Sequence, residues 1–167
     1  MAMSANGMIA DKEGKEEFLS DLNWKTFSEL VSTHKNIIVG RKTYESVKEW
    51  GEQYSFDHFT AATKVILTRN AEYVLPEGYF RAFSPKDALK AVFDADVENA
   101  LIAGGASVSS GFAKEGLLNE IILNIEPAML GNGIPLFNPD DFELKLSLMQ
   151  VTQLEEGIVQ LRYTVAP

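Results

Sequence analysis

The 167-residue sequence contains no cysteine and only two histidines, His34 and His58. Without cysteine the chain has no disulfide framework and no thiolate chemistry. Two histidines that lie far apart in the sequence give poor support to a histidine-based zinc site or to a Ser-His-Asp triad. We therefore predict no metal ligand among the site residues.

Long apolar runs and an excess of positive charge are also missing. No run approaches the roughly 20 residues of a membrane span, and no signal peptide is visible at the N-terminus. The net charge is −9, from 15 Lys and Arg against 24 Asp and Glu. This balance argues against broad binding of nucleic acid or anionic membranes. A cytoplasmic protein without nucleic-acid or membrane partners is therefore expected.

The composition is that of a globular protein, 46% hydrophobic and 10% aromatic. Its length suits one domain with a sizeable core, and no repeat or linker divides it. Apolar strands alternate with helices through most of the chain, and the segments 142–153 and 158–165 close it as a hairpin. The pattern predicts a single α/β domain over residues 1–167. Its central sheet is expected to be mostly parallel, flanked by helices, with a C-terminal antiparallel hairpin.

Local signals predict where several elements begin. Ser20 or Asp21 can cap the first long helix, and Thr43 can cap a short second helix. Ser84 followed by Pro85 predicts the start of a third. The segment 127–135 is rich in Gly and Pro and predicts a loop.

Three predicted strands end on groups suited to an anionic ligand. Ligands of parallel sheets lie beyond the carboxyl ends of the strands, and a helix N-terminus offers unpaired N–H groups and a positive dipole end. These strand ends predict a seat for a phosphorylated dinucleotide, with Arg41 and Arg69 reaching a ribose 2′-phosphate and Ser109 as an extra donor. The residues are Gly40, Arg41, Lys42 and Thr43; Leu67, Thr68 and Arg69; and Gly104, Gly105, Ala106 and Ser107. A lone diglycine can also serve only to turn the chain.

Three runs carry a family resemblance. I-I-V-G-R-K-T-Y-E-S at 37–46 and I-A-G-G-A-S-V at 102–108 resemble motifs of dihydrofolate reductase, and G-L-L-N-E-I-I-L-N-I-E-P-A-M-L-G-N-G-I-P-L-F at 116–137 looks more like the RibD C-terminal reductase domain of riboflavin biosynthesis. In this order and spacing they make the chain similar to the dihydrofolate reductase superfamily over nearly its whole length. The resemblance implies NADPH as the cofactor, held by the strand-end residues above together with Val108.

The resemblance also implies a carboxylate on the helix that lines the substrate pocket. The run that starts with Asp21 is similar to the Asp-Leu-x-Trp that begins this helix in the family, so Asp21 is the candidate acid. The implied substrate contacts are Trp24, Phe27, Ser46 and Ile102. Asp21 can equally be a surface helix cap, and Asp11 and Glu17 are rival acids in the preceding loop. The chemistry requires an acid in an apolar cleft.

The two substrate signatures of the superfamily are each incomplete. Folate-using members have an arginine before the third strand for the glutamate tail of the substrate, where this chain offers only Lys64. Riboflavin-type members usually read Ser-x-Asp-Gly-Lys at the first turn, where residues 4–8 read S-A-N-G-M.

The first hypothesis is an NADPH-dependent reductase that transfers a hydride to a C=N bond of a pterin, most simply dihydrofolate to tetrahydrofolate. One alternative is a reductase of the riboflavin pathway that acts on 5-amino-6-(5-phosphoribosylamino)uracil. Another is a non-catalytic nucleotide-binding module that kept the fold. The apolar C-terminal hairpin leaves both a monomer and a homodimer open.

Overall fold

The structure is a computed structural model that describes residues 1–95 and 97–166. The strands are β1 (Ala2–Ser4), β2 (Met8–Asp11), β3 (Asn36–Gly40), β4 (Thr63–Leu67), β5 (Tyr79–Ala82), β6 (Ile102–Gly104), β7 (Glu120–Glu126), β8 (Gly133–Pro135), β9 (Leu146–Gln153) and β10 (Val159–Val165). The helices are α1 (Asp21–His34), α2 (Arg41–Val47), α3 (Pro85–Phe93) and α4 (Ala106–Lys114). Single-turn 3₁₀ helices lie at Phe56–His58 and Glu155–Gly157. The alternation of strands and helices confirms the predicted α/β class.

Two four-stranded sheets form the centre of the molecule. The first has the order β5-β4-β3-β6 and is parallel throughout. The second has the order β1-β7-β10-β9, in which β1 and β7 are parallel and β10 is antiparallel to both of its neighbours. The two sheets adjoin at β1 and β6, because a methyl group on Gly104 would lie only 2.7 Å from Met1 Cε. The mostly parallel sheet and the closing hairpin are as predicted.

Side chains alternate between the two faces of the parallel sheet, as the two-residue period of a strand requires. On one face, Ile37 and Val39 of β3 pack with Tyr44 and with the aromatic residues of α1 and of segment 51–63. On the other face, Ile38 packs against side chains of α3 and α4, among them the fully buried Phe112. The first face carries the predicted substrate residues of α1.

The start of α3 matches the local sequence signals, whereas the start of α2 does not. Ser84 accepts the N–H of Asp87 at 3.1 Å and Pro85 opens α3, as predicted. The prediction that Thr43 caps α2 is wrong, because α2 begins at Arg41 and Thr43 lies within its first turn.

The longest helix, α1, has 14 residues. Among the helices of the described residues, none has both the length and the apolar character needed to cross a bilayer.

The segment 127–135 is not entirely a loop. Its last three residues form β8, which pairs antiparallel with β2. Gly133 makes this pairing possible, since a methyl group there would lie 2.3 Å from the carbonyl oxygen of Ala10. The long-range pairing partner, rather than local composition, decides the structure of this segment.

Candidate active site

The predicted strand ends of β3 and β6 meet in direct contact. Thr43 Oγ1 accepts the N–H of Gly105 at 2.9 Å, across 62 residues of sequence. A methyl group on Gly40 would lie 2.9 Å from Val108 Cγ2, and one on Gly105 would lie 2.9 Å from Thr43 Oγ1. Glycine at these positions therefore lets two backbone segments approach closely, and four predicted cofactor residues come together.

The start of α4 supplies N–H groups at this junction. The N–H groups of Val108 and Ser109 bond back to the carbonyl of Gly105. Those of Ala106 and Ser107 make no hydrogen bond within residues 1–95 and 97–166. A helix start with unpaired N–H groups fits the charge of a diphosphate. Ser109 is 5% exposed, and its Oγ lies 3.6 Å from where a methyl group on Gly104 would be, so it faces the end of β6 rather than solvent.

Cationic side chains lie beside this junction. Arg41 pairs with Glu45 one helical turn later, with Nη1 at 2.7 Å from Oε2, and its guanidinium lies 5.6 Å from the centre of the Tyr73 ring. Lys42 and Arg69 are exposed. A ribose phosphate at Arg41 would compete with Glu45 for the guanidinium. Of the two predicted arginines, Arg69 is therefore the one better able to pair with a phosphate.

The end of β4 contributes backbone more than side chains. Leu67 is half-buried and packs towards α3 and α4. Thr68 is 6% exposed, and its hydroxyl oxygen accepts the N–H of Asn70 at 3.2 Å. The Thr68 hydroxyl therefore stabilises the turn that contains Arg69.

The predicted substrate residues of α1 lie in an aromatic cluster. The Trp24 ring centre is 5.5 Å from that of Phe27, and it is 5.6 Å from Tyr54 and 5.7 Å from Phe56. These contacts fill the space between α1 and segment 51–63 with rings. Ser46 is half-buried on α2, which lies on the same face of the sheet as this cluster.

Ile102, the fourth implied substrate contact, does not lie with Trp24 and Phe27. Ile102 packs on the opposite face of the sheet, with the side chains that face α3 and α4. Its neighbour Ala103 packs against the cluster that includes Trp24 and Phe27. In a strand of three residues, an error of one position moves the side chain to the other face.

Asp21 lies at the surface. It is the first residue of α1 and is exposed, and its carboxylate accepts a hydrogen bond from the hydroxyl of Tyr54. This bond raises the pKa of the Tyr54 hydroxyl. Asp21 is thus not enclosed in an apolar cleft, and its role as the acid stays a prediction.

The rival acids lie in the loop between β2 and α1. Asp11 accepts the backbone N–H groups of Glu13 and Lys15, and the Lys15 bond leads the causes that lower the pKa of Asp11. Glu17 is exposed. Between them in the loop, burial raises the pKa of Glu16 from 4.5 to about 7.

A buried carboxylate that the sequence reasoning missed lies beside the start of α1. Glu126, the last residue of β7, is 3% exposed. Its Oε1 accepts the Ser20 N–H at 2.9 Å, the Ser20 hydroxyl at 3.0 Å and the side-chain amide of Asn23. Ser20 precedes α1 without a capping bond from its own side chain. Glu126 therefore fixes the helix start in its place.

The polar contacts continue from Asn23 towards the hairpin. Asn124 donates to Asn23 Oδ1 at 2.8 Å and accepts the Gln160 side chain at 2.9 Å. Asn124 and Glu126 are two residues apart and both buried. Two buried polar residues at strand period within the apolar run of β7 are the signal that could have indicated an inward-facing polar site.

Within residues 1–95 and 97–166, no three His, Cys, Asp or Glu side chains are grouped as a metal site would require.

Comparison with solved structures identifies the fold. The chain superimposes on a protein from Shewanella sp. PV-4 assigned to riboflavin biosynthesis with a TM-score of 0.82, at 22% identity over 100% of this chain and 97% of that one. It superimposes on dihydrofolate reductase from Enterococcus faecalis, complexed with NADP(H), with a TM-score of 0.71, at 18% identity over 99% of this chain and 94% of that one. The fold is therefore that of the dihydrofolate reductase-like proteins.

The sequence comparisons give the family. Residues 1–160 match the model of the RibD C-terminal domain family. The chain is also 32% identical to the uncharacterized protein YwjB of Bacillus subtilis, over 99% of this chain and 95% of that protein. The protein belongs to the RibD C-terminal domain family, and the resemblance read from the sequence is confirmed.

Proposed function

We propose that the chain is an NADPH-dependent reductase that delivers a hydride to a C=N bond of a substrate built on a nitrogen heterocycle. The observation that carries the proposal is the 2.9 Å hydrogen bond from the Gly105 N–H to Thr43 Oγ1, which joins two strand ends at the start of α4. Arg41, Lys42 and Arg69 add positive charge around this junction, in a chain whose net charge is −9. Local concentration of cations in an acidic protein is what a polyanionic cofactor needs.

When bound, NADPH would supply the hydride and leave as NADP⁺. The helix start at Ala106 and Ser107 would bind the diphosphate through backbone N–H groups. Arg69 would pair with the ribose phosphate, whose geometry suits a guanidinium. Ala103 and Ile9 would exclude water next to the reacting ring, since Ile9 is 8% exposed and its Cδ1 lies 3.8 Å from where a methyl group on Gly105 would be.

The substrate is proposed to be a pyrimidine without a glutamate tail, 5-amino-6-(5-phosphoribosylamino)uracil, rather than the dihydrofolate of the first hypothesis. Its reducible C=N bond is the imine that its ribosylamino group forms when the sugar ring opens. Lys64, the one replacement for the arginine that would bind a glutamate tail, is 7% exposed. Its ammonium lies 4.8 Å from the centre of the Tyr79 ring, so it is committed to a cation–π contact. The rings around Trp24 also occupy the space beside α1 that a long tail would need.

The test is oxidation of NADPH, followed by the loss of reduced-nicotinamide absorbance, with each of the two substrates in parallel. Turnover of the pyrimidine with weak or no turnover of dihydrofolate supports the proposal. Faster turnover of dihydrofolate overturns the substrate assignment and restores the first hypothesis. Binding of NADPH without turnover of either substrate favours the non-catalytic nucleotide-binding module.

An arginine variant tests the cofactor seat. Arg69→Gln is expected to raise KM for NADPH about tenfold, the size of one hydrogen bond to a charged group, and to leave KM for NADH unchanged. Arg162→Gln is the matched control, because Arg162 of β10 pairs with Glu120 of β7 in the second four-stranded sheet. An equal rise for both cofactors would contradict the assignment of Arg69 to the 2′-phosphate.

A homodimer is proposed through the edge strand β9. Leu148, Met149 and Val151 are each more than half exposed, and among the described residues β9 pairs only with β10. An unpaired edge can pair with the same edge of a second copy about a two-fold axis. Light scattering after size exclusion is expected to give twice the monomer mass, and Leu148→Lys is expected to give the monomer. A monomeric wild type would refute this assembly.

A further inference from the structure

The ends of β1 and β7 lie side by side, because these two strands are parallel. Glu126 is in register with Ser4, the last residue of β1. After a turn at Asn6-Gly7 the chain enters β2, and Ile9 of β2 reaches the Gly105 region, as given above. A substrate beside the cofactor would therefore lie between these strand ends and the start of α1, where Glu126 is buried.

The two oxygens of the Glu126 carboxylate differ. Three donors converge on Oε1 from Ser20 and Asn23, which is the arrangement a carboxylate anion needs away from water. Oε2 makes no hydrogen bond to any described residue. Among these residues, the one fully buried side-chain polar atom without a partner is Arg81 Nε, so Oε2 still reaches solvent. Glu126 is thus held by one oxygen and presents the other.

We propose that Glu126 Oε2 accepts an N–H of the heterocyclic substrate, and that Glu126 rather than Asp21 supplies the carboxylate of the pocket. This inference rests on the proposed reductase function. In the reaction the carbon of the C=N bond gains the hydride of NADPH, the nitrogen gains a proton from water, and the carboxylate is unchanged. In the phosphoribosylamino pyrimidine this C=N bond is the imine that forms when the sugar ring opens. Its negative charge holds the ring and stabilises the positive charge that develops as the nitrogen is protonated.

Burial favours Glu126 over Asp21 for this work. A hydrogen bond to a charge is stronger away from water, and Glu126 is 3% exposed. Asp21 is exposed and already accepts the hydroxyl of Tyr54. An exposed charge pair contributes little because water screens it.

The kinetic test compares Glu126→Gln with Asp21→Asn. Glutamine keeps a carbonyl oxygen for the donors of Ser20 and Asn23 and places an NH₂ group where Oε2 was, so the packing is retained while the acceptor is lost. We expect kcat/KM for the pyrimidine to fall about 10- to 100-fold in Glu126→Gln, the range for a hydrogen bond to a charged group. Asp21→Asn is expected to stay within about threefold, and the Kd for NADPH to change by less than about twofold in both.

A binding test separates this inference from the proposed function. The probe is 2,4-diaminopyrimidine, which presents N–H donors and becomes cationic on protonation, and the signal is tryptophan fluorescence. Wild type and Asp21→Asn are expected to bind it with equal affinity, and Glu126→Gln at least about tenfold more weakly. That pattern supports the inference even if neither substrate turns over, a result that counts against the reductase alone.

Three outcomes overturn the inference: equal probe binding by Glu126→Gln and wild type, loss of binding in Asp21→Asn only, and no binding by wild type. Circular dichroism checks the fold of each variant. If Glu126→Gln does not fold, Glu126→Asp replaces it, because it keeps the charge and withdraws the oxygen from the pocket. Glu126→Asp is expected to bind the probe more weakly than wild type, and unchanged affinity overturns the inference.

Discussion

Ionisation of Glu16 is expected to destabilise the folded protein as the pH rises. Burial raises the pKa of Glu16 from 4.5 to about 7, and no side-chain hydrogen bond to a described residue compensates its charge. Between these two values the folded chain binds a proton that the unfolded chain has released. Folding stability therefore falls with rising pH across this interval and is level above it.

The size of the effect follows from the shift. Each unit of pKa corresponds to about 1.4 kcal/mol, so full ionisation costs on the order of 3 kcal/mol. Glu16→Gln mimics the protonated form and removes this cost. The variant is expected to match wild type near pH 4 and to exceed its free energy of unfolding by about 2–3 kcal/mol near pH 8.

Urea unfolding at about pH 4, pH 6 and pH 8 measures the difference directly. Glu17→Gln is the matched control, since Glu17 is the next residue and its side chain stays in water. The reasoning is refuted if the Glu16→Gln difference is the same at all three pH values. It is also refuted if Glu17→Gln shows the larger pH dependence.

Two further predictions test contacts between distant segments. Gly133→Ala places a methyl group 2.3 Å from the Ala10 carbonyl oxygen and is expected to lower the free energy of unfolding by about 1–3 kcal/mol. In the control Gly131→Ala the methyl group meets no atom within 4 Å, so the loss should be much smaller. Equal melting temperatures of the two variants would contradict this. Thr43→Val removes the acceptor of the Gly105 N–H and is expected to raise the Kd for NADPH about 5- to 10-fold by calorimetry, while Thr43→Ser keeps it; equal affinities in the two variants would show that the bond does not shape the seat.

The meeting of the β3 and β6 strand ends was predictable because its signals are local. Gly40 and Gly105 each follow a short apolar run and precede a helix, and parallel strands bring such ends to one edge. The chain order of the motifs was enough to place Thr43 near Gly105. What it could not give was the role of Thr43, which is to accept the Gly105 N–H rather than to cap its own helix.

The buried polar contacts of Glu126 could not be predicted in the same way because its partners are distant in sequence. The donors to Glu126 lie 103 and 106 residues away, and no local pattern announces them. The strand β8 was missed for the same reason, since it forms only through pairing with β2. Which face of the sheet Ile102 lies on depends on which residue begins a three-residue strand, and sequence spacing does not determine that residue.

This division has a consequence for how substrates can vary on the same scaffold. The proposed cofactor seat is built from short runs that each carry their own turn and helix start, so a chain can keep it while the rest of the site changes. The carboxylate needs only to reach the space beside the start of α1, and either α1 or the end of β7 can provide it. In this chain Asn23 and Ser20 of the α1 region serve as donors to Glu126. If Glu126 has the proposed role, a motif on α1 is a weak guide to the carboxylate of the pocket, and the buried residue that bonds the start of α1 is the better guide.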